Sequence, residues 1–233
     1  MLFTHWASLT ARMNKVYIAR TDELNDDIMF GRLYNAASRR RREKTDKLLF
    51  RKDKMLSLAA EALLRKALAD IGITHFELEY GRNGKPYIRD KNIFFNLSHS
   101  EDTVMCAVSE REIGADTEKI TNIDLEVAKR FFHREEYAML LKQRTDEEKR
   151  DMFFRLWTLK ESFVKAVGIG MALSPDSFSI AIEDDKISVR QNVSREKYYF
   201  KEYSLGDGYK YAVCGLSPCF EGAAETVSLG IYN

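Results

Sequence analysis

From Ser38 to Ile71 the chain has neither glycine nor proline, and Leu48, Met55, Leu56, Leu63, Leu64 and Leu68 recur at helical spacing. The pattern predicts one long helix stopped by Gly72. A second strong helix is predicted over Asp151–Val167, ended by Gly168, with shorter ones over Leu125–Phe132 and Arg134–Lys142. Strands are predicted at Met13–Ala19, Phe76–Tyr80, Ile93–Leu97, Thr103–Val108 and Glu112–Glu118. The last two read as a pair joined by the polar turn Ser109-Glu110-Arg111, and Gly81–Pro86 reads as a turn. Further strands are expected at Ser177–Ile182, Ile187–Val189 and Tyr198–Tyr203, with Tyr209–Cys214 and Thr226–Ile231 completing that sheet. Each half thus offers one long helix and several antiparallel-looking strands, an α+β pattern with a division near residue 110.

Composition narrows the class. With 233 residues, 45% apolar and 12% aromatic, the chain can bury a real core, which excludes disorder. The 37 Lys and Arg offset 36 Asp and Glu, so the whole-chain balance argues against a general nucleic-acid binder or a polybasic membrane protein. No apolar run approaches the roughly 20 residues of a membrane span. The first twenty residues lack an uninterrupted apolar core and a small-residue cleavage site, so they do not read as a signal peptide. Cys106, Cys214 and Cys219 form neither a disulfide framework nor a CxxC pair. A soluble, cytoplasmic protein in a reducing compartment is expected.

By position, the charge is segregated. Between Ser38 and Lys54 nine basic residues face three acids, a local +6. That run is either a solvated helix face or a phosphate-reading surface, for which Arg41 and Lys44 share a face. Asp116 and Glu118, two apart on an extended strand, point the same way; they are either surface acids or an oxygen pair suited to Mg²⁺. On the helix Asp151–Val167, Trp157, Glu161 and Lys165 share one face, either as an ordinary ion pair or, on so apolar a helix, as charges awaiting a metal or phosphate. Asn96-Leu97-Ser98-His99-Ser100 runs a strand into small donors, either a side-chain-capped turn or a phosphate-binding turn. Gly84-Lys85-Pro86 adds a cation at a rigid bend. His5, His75 and His133 lack metal-ligand spacing and read as structural or surface residues.

Taken in order, N-L-S-H-S, I-G-A-D-T-E-K and W-T-L-K-E-S-F-V-K resemble the 4′-phosphopantetheinyl transferases of the Sfp type, and the resemblance continues through G-K-P, R-F-F-x-x-x-E-Y and D-S-F-S. It implies a pseudo-dimer of two similar subdomains, 1–110 and 111–233, each a small antiparallel sheet packed with a long helix. It implies coenzyme A as substrate in the cleft between them, with Mg²⁺, or Mn²⁺ in its place, on Asp116, Glu118 and Glu161. Lys165 would contact phosphate oxygens, and Ser98, His99, Lys85, Arg41, Lys44 and Lys54 would bind the 3′-phosphate region. Glu161 would take the proton of a carrier-protein serine, with Lys165 offsetting charge and Glu136 in a supporting role. The implied activity moves 4′-phosphopantetheine to an apo acyl or peptidyl carrier protein and releases adenosine 3′,5′-bisphosphate, activating peptide, polyketide or fatty-acid synthases. A monomer with no nucleic-acid or membrane partner is expected.

Overall fold

In the computed structural model, which describes residues 14–81, 84–184 and 186–231, strand β1 (Lys15–Arg20) is buried on both faces. His5, Met13 and the amino-terminal segment read for a leader lie outside the described residues. Val16 and Ile18 of β1 point into one apolar cluster, and Tyr17 and Ala19 into another. The same alternation recurs in β5 (Thr103–Ser109), with Met105 and Ala107 on one side and Val104, Cys106 and Val108 on the other. A strand buried on both faces must lie between two layers, and this sheet does. After helix α1 (Asp27–Ala36) and a short basic helix α2 (Arg39–Asp46), the long helix α3 (Arg51–Ala69) covers one face with Leu58, Leu63, Leu64 and Leu68. Each such fully buried leucine contributes about 2 kcal/mol of transfer free energy, so this face alone outweighs any local helix propensity.

The expected single helix over Ser38–Ile71 is therefore two, broken at Lys47–Phe50. The two helices pack around Glu61, a buried carboxylate of α3 that also accepts from Arg65 one turn on. Folding α2 back supplies its other partners: the Ser38 amide donates to Glu61 at 2.7 Å, the Ser38 hydroxyl at 2.9 Å and Arg41 Nε at 3.2 Å. The Thr45 hydroxyl donates to Ser57 Oγ at 3.1 Å, closing the same interface.

The hairpin β2 (Leu78–Tyr80) and β3 (Pro86–Ile88) precedes β4 (Phe94–Ser100), which pairs antiparallel with β5. The pairing expected between β5 and β6 (Ile113–Lys119) does not form. Both edges of β5 are already taken by β1 and β4, so β6 turns away to a second sheet. Helices α4 (Leu125–Phe131), α5 (Arg134–Leu141) and α6 (Asp146–Val167) follow. Helix α6 begins five residues earlier than expected because Thr145 and Glu148 form a capping box; Gly168 ends it in the left-handed conformation, φ 78°.

Strands β7 (Ser179–Glu183) and β8 (Lys186–Arg190) make a separate two-stranded sheet. The second main sheet has the order β6-β10-β9, with β9 (Tyr199–Tyr203) and β10 (Tyr209–Gly215) antiparallel to their neighbours. The last strand, β11 (Glu225–Thr226), does not complete it as expected but pairs parallel with β1 in the first sheet, order β11-β1-β5-β4. Ile113, Ala115, Tyr211 and Val213 of the second sheet meet Val16, Ile18, Met105 and Ala107 of the first. Helix α6 covers the outer side with Leu156, Leu159 and Phe163 against Ala212 and Cys214. The layers run helix, sheet, sheet, helix, an α+β arrangement with six α-helices among the described residues. All three cysteines are free.

Candidate active site

Two edge strands, β4 of the first sheet and β6 of the second, lie side by side, and α6 crosses β6 at Gly114. The approach is closer than any side chain allows: a Cβ on Gly114 would stand 2.1 Å from the Ser162 carbonyl oxygen and 2.3 Å from the Ala166 nitrogen. Backbone-to-backbone contact brings the face of α6 that carries Glu161 and Lys165 against the strand that carries Asp116 and Glu118. The carbonyl at 162 and the strand at 114 thus set the depth of the site.

Asp116 is 3% exposed. Lys165 Nζ donates to its Oδ1 at 2.5 Å and to Ser98 Oγ at 3.0 Å, while the Ser98 hydroxyl donates to the same Oδ1 at 2.9 Å. Asp116 Oδ2 is buried without a hydrogen-bond partner. One residue pair along, the Ser100 hydroxyl donates to Glu118 Oε2 at 2.7 Å. Burial pushes the carboxyls of Asp116, Glu118 and Glu161 above their usual range. The charge of Asp116 raises Glu118 and Glu161 further, whereas Lys165 pulls all three back. Three mutually repelling carboxyls thus share one ammonium.

Among the described residues no three His, Cys, Asp or Glu side chains stand close enough together to hold a metal ion in this arrangement. The donors nevertheless suit one. Leaving a buried carboxylate oxygen bare costs upwards of about 1–3 kcal/mol, and the set is all oxygen, as hard divalent cations require.

A cleft of 550 Å³ opens beside this group, lined by Lys85, Asn96, Leu97, Phe131, Glu161 and Lys165 among others. Phe131 meets Trp157 edge-on at 6.0 Å, and Trp157 stacks on Phe153, so the tryptophan backs the Phe131 wall of the cleft. Lys85 Nζ reaches across from the turn before β3, donating to Glu112 at 2.9 Å and to the Lys165 carbonyl at 3.0 Å, where the end of α6 has unpaired carbonyls.

The remaining sequence candidates are distributed unevenly. Arg41 and Lys44 line a separate basic groove of 630 Å³ with Arg40, Lys47, Arg65 and Tyr80. Arg41 is engaged with Glu61, whereas Lys44 is exposed. Lys54, half-buried on α3, lines neither cavity. His99 is exposed and lines neither cavity; desolvation, then the charges of Lys165 and Lys44, hold its ring below the usual histidine pKa. Glu136 is fully buried and saturated, accepting from Lys160 Nζ at 2.6 and 2.7 Å, from the Ile180 amide at 2.6 Å and from the His133 amide at 2.8 Å. It ties α5, α6 and β7 together. His133 caps α5, and His75 is exposed.

Ser57 and Glu61 were not singled out from sequence, and Ser100 was read only as a member of the N-L-S-H-S run, with no role of its own. Ser100 had a signal, the period-two spacing N-x-S-x-S on a strand, matching D-x-E on another.

A family model described as the 4′-phosphopantetheinyl transferase superfamily matches residues 112–214. The chain is similar to the 4′-phosphopantetheinyl transferase Sfp of Bacillus subtilis (strain 168), 37% identical over 194 residues that cover 81% of this chain and 86% of that one. It is similar to the 4′-phosphopantetheinyl transferase gsp of Aneurinibacillus migulanus, 37% identical over 168 residues, 71% and 70% of the two chains. Among solved structures, a holo-(acyl-carrier-protein) synthase from Bacillus anthracis in complex with CoA (3′,5′-ADP) matches 45% of this chain and 94% of that one, at 19% identity and a TM-score of 0.39.

Proposed function

The chain belongs to the 4′-phosphopantetheinyl transferase superfamily as an enzyme of the Sfp type, and from that premise we propose that coenzyme A is its donor and the serine of an apo acyl or peptidyl carrier protein its acceptor. The observation that carries the reading is the shared wall of the cleft. Glu161 and Lys165 line it together, and behind it Lys165 donates to Ser98 and to the buried Asp116, whose second oxygen is bare.

The serine oxygen bonds to the phosphorus that bears the pantetheine arm. The bond from that phosphorus to the bridging oxygen breaks, and adenosine 3′,5′-bisphosphate leaves. Glu161, on the cleft wall, receives the serine proton. Lys165 offers its positive charge to the phosphate oxygens. When bound on Asp116, Glu118 and Glu161, Mg²⁺ (or Mn²⁺) supplies neutralisation of charge developing on the pyrophosphate.

The 3′-phosphate region falls to His99, Lys44, Arg41, Lys54, Lys85 and Ser98. Among these Lys44 stands exposed in the basic groove, and the single O–H of Ser98 already serves Asp116. The two halves, 1–110 and 111–233, form a pseudo-dimer around this cleft in a monomeric, cytoplasmic enzyme that serves synthases without a nucleic-acid or membrane partner. No helix among the described residues is long and apolar enough to cross a membrane.

The test is incubation of apo carriers, acyl and peptidyl side by side, with coenzyme A and Mg²⁺, followed by intact-mass spectrometry. One phosphopantetheine per carrier is expected, with Glu161→Gln slower by about 10²-fold or more. Failure to label any apo carrier would overturn the function. Labelling by Glu161→Gln at the wild-type rate would overturn the role of Glu161 alone.

A further inference from the structure

Strand β6 ends its sheet, so the amides at 115, 117 and 119 face away from β10 and need partners. They find side chains, not a backbone ladder. The Ala115 amide donates to Asn96 Oδ1 at 3.0 Å, the Thr117 amide to Ser98 Oγ at 3.4 Å and the Lys119 amide to Ser100 Oγ at 3.2 Å. Each pair is 19 residues apart, so three rungs hold β4 and β6 parallel in one register.

Two of the rungs do more. A hydroxyl accepts and donates at once. Ser98 accepts from the amide at 117 and donates to the carboxylate at 116; Ser100 accepts from the amide at 119 and donates to the carboxylate at 118. The unit repeats with the strand's period of two. The Asn96 rung stands beside Gly114, which has no side chain because α6 occupies the space, and so it carries no acid.

We propose that Ser100 is a positioning residue: it fixes the seam between the two edge strands and, through its hydroxyl, aims the Glu118 carboxylate toward the divalent-cation position shared with Asp116. The proposal rests on the reading of Asp116 and Glu118 as ligands of that cation. It makes N-x-S-x-S and D-x-E a matched pair of motifs, one supplying hydroxyls at the spacing at which the other presents acids.

The test compares Ser100→Ala, Ser100→Thr and Asn96→Ala with the wild type. Mn²⁺ binding in the presence of coenzyme A is followed by electron paramagnetic resonance, with thermal unfolding measured alongside. Ser100→Ala is expected to bind Mn²⁺ about tenfold more weakly, the scale found when a group orienting a metal ligand is removed, and Ser100→Thr to restore affinity within about twofold. Asn96→Ala is expected to lower the melting temperature while keeping Mn²⁺ affinity within about twofold of wild type. Wild-type affinity in Ser100→Ala, or an equal loss in Asn96→Ala, would overturn the positioning role and leave the cation reading intact. Absence of Mn²⁺ binding by the wild type would overturn both.

Discussion

Replacing Gly114 by alanine puts one methyl group where α6 and β6 touch. The new Cβ would meet the Ser162 carbonyl oxygen at 2.1 Å and the Ala166 nitrogen at 2.3 Å, against an ordinary contact of 3.4 Å or more. Both atoms belong to the helix backbone, so no rotamer change relieves the clash, and the helix must retreat by more than about 1 Å from the strand. Overpacking of this kind costs about 1–3 kcal/mol, which at about 2–4 °C per kcal/mol for a chain of this size lowers the melting temperature by several degrees. The rate should suffer more. Glu161 and Lys165 ride on the moving helix while Asp116 and Glu118 stay on the strand, and a displacement of about 1 Å in a catalytic group costs about 10²-fold. Mass-spectrometric rates of carrier labelling, paired with differential scanning calorimetry, measure both effects. Because the obstacle is a carbonyl and not a side chain, adding Ser162→Ala should rescue neither. A Gly114→Ala enzyme within twofold of wild-type activity would refute the reasoning, as would rescue by Ser162→Ala.

Two further predictions concern buried charge. Lys160→Met strands the fully buried Glu136 carboxylate, and loss of one partner from such a pair costs about 3–5 kcal/mol, read as a lower urea midpoint. The exposed Arg39–Glu43 pair should lose no more than about 0.5 kcal/mol on Arg39→Ala. Glu61→Gln addresses pH: burial raises the Glu61 pKa, but the Ser38 amide, Arg65 and the Ser38 hydroxyl outweigh it and hold the folded carboxyl below its ordinary 4.5. Stability from that carboxylate is present above pH 4.5 and lost as pH falls through the folded pKa, so the gap between wild type and Glu61→Gln should close in acid urea melts. A gap that widened below pH 4.5 would reverse the assignment.

Local patterns in the chain were sufficient for the helices that end the argument about the site. Helix α6 was legible from its apolar face and from Gly168, and the D-x-E and N-x-S-x-S spacings could be read as strand faces, because periodicity records which side of an element is buried. Pairing was not legible. The turn at Ser109–Arg111 looks like a hairpin, yet β5 had no edge left for β6, a fact that depends on β1 and β4 and on nothing near the turn. The break at Lys47–Phe50 was likewise invisible, since the packing of α2 on α3 through Glu61 joins residues some twenty positions apart.

By itself, then, the amino-acid sequence determined the α+β class, the helix that ends at Gly168 and the motifs that place the chain in its family, since each depends on residues within a few positions of one another. Tertiary structure alone decided that β4 and β6 are edges, that their gap is bridged by hydroxyls, and that Arg41 is held by Glu61 in a groove apart from the cleft with Lys165. The physical reason is the same in each case. A buried polar group takes whichever partner the packing of distant elements brings within hydrogen-bond reach, and no local spacing encodes that distance.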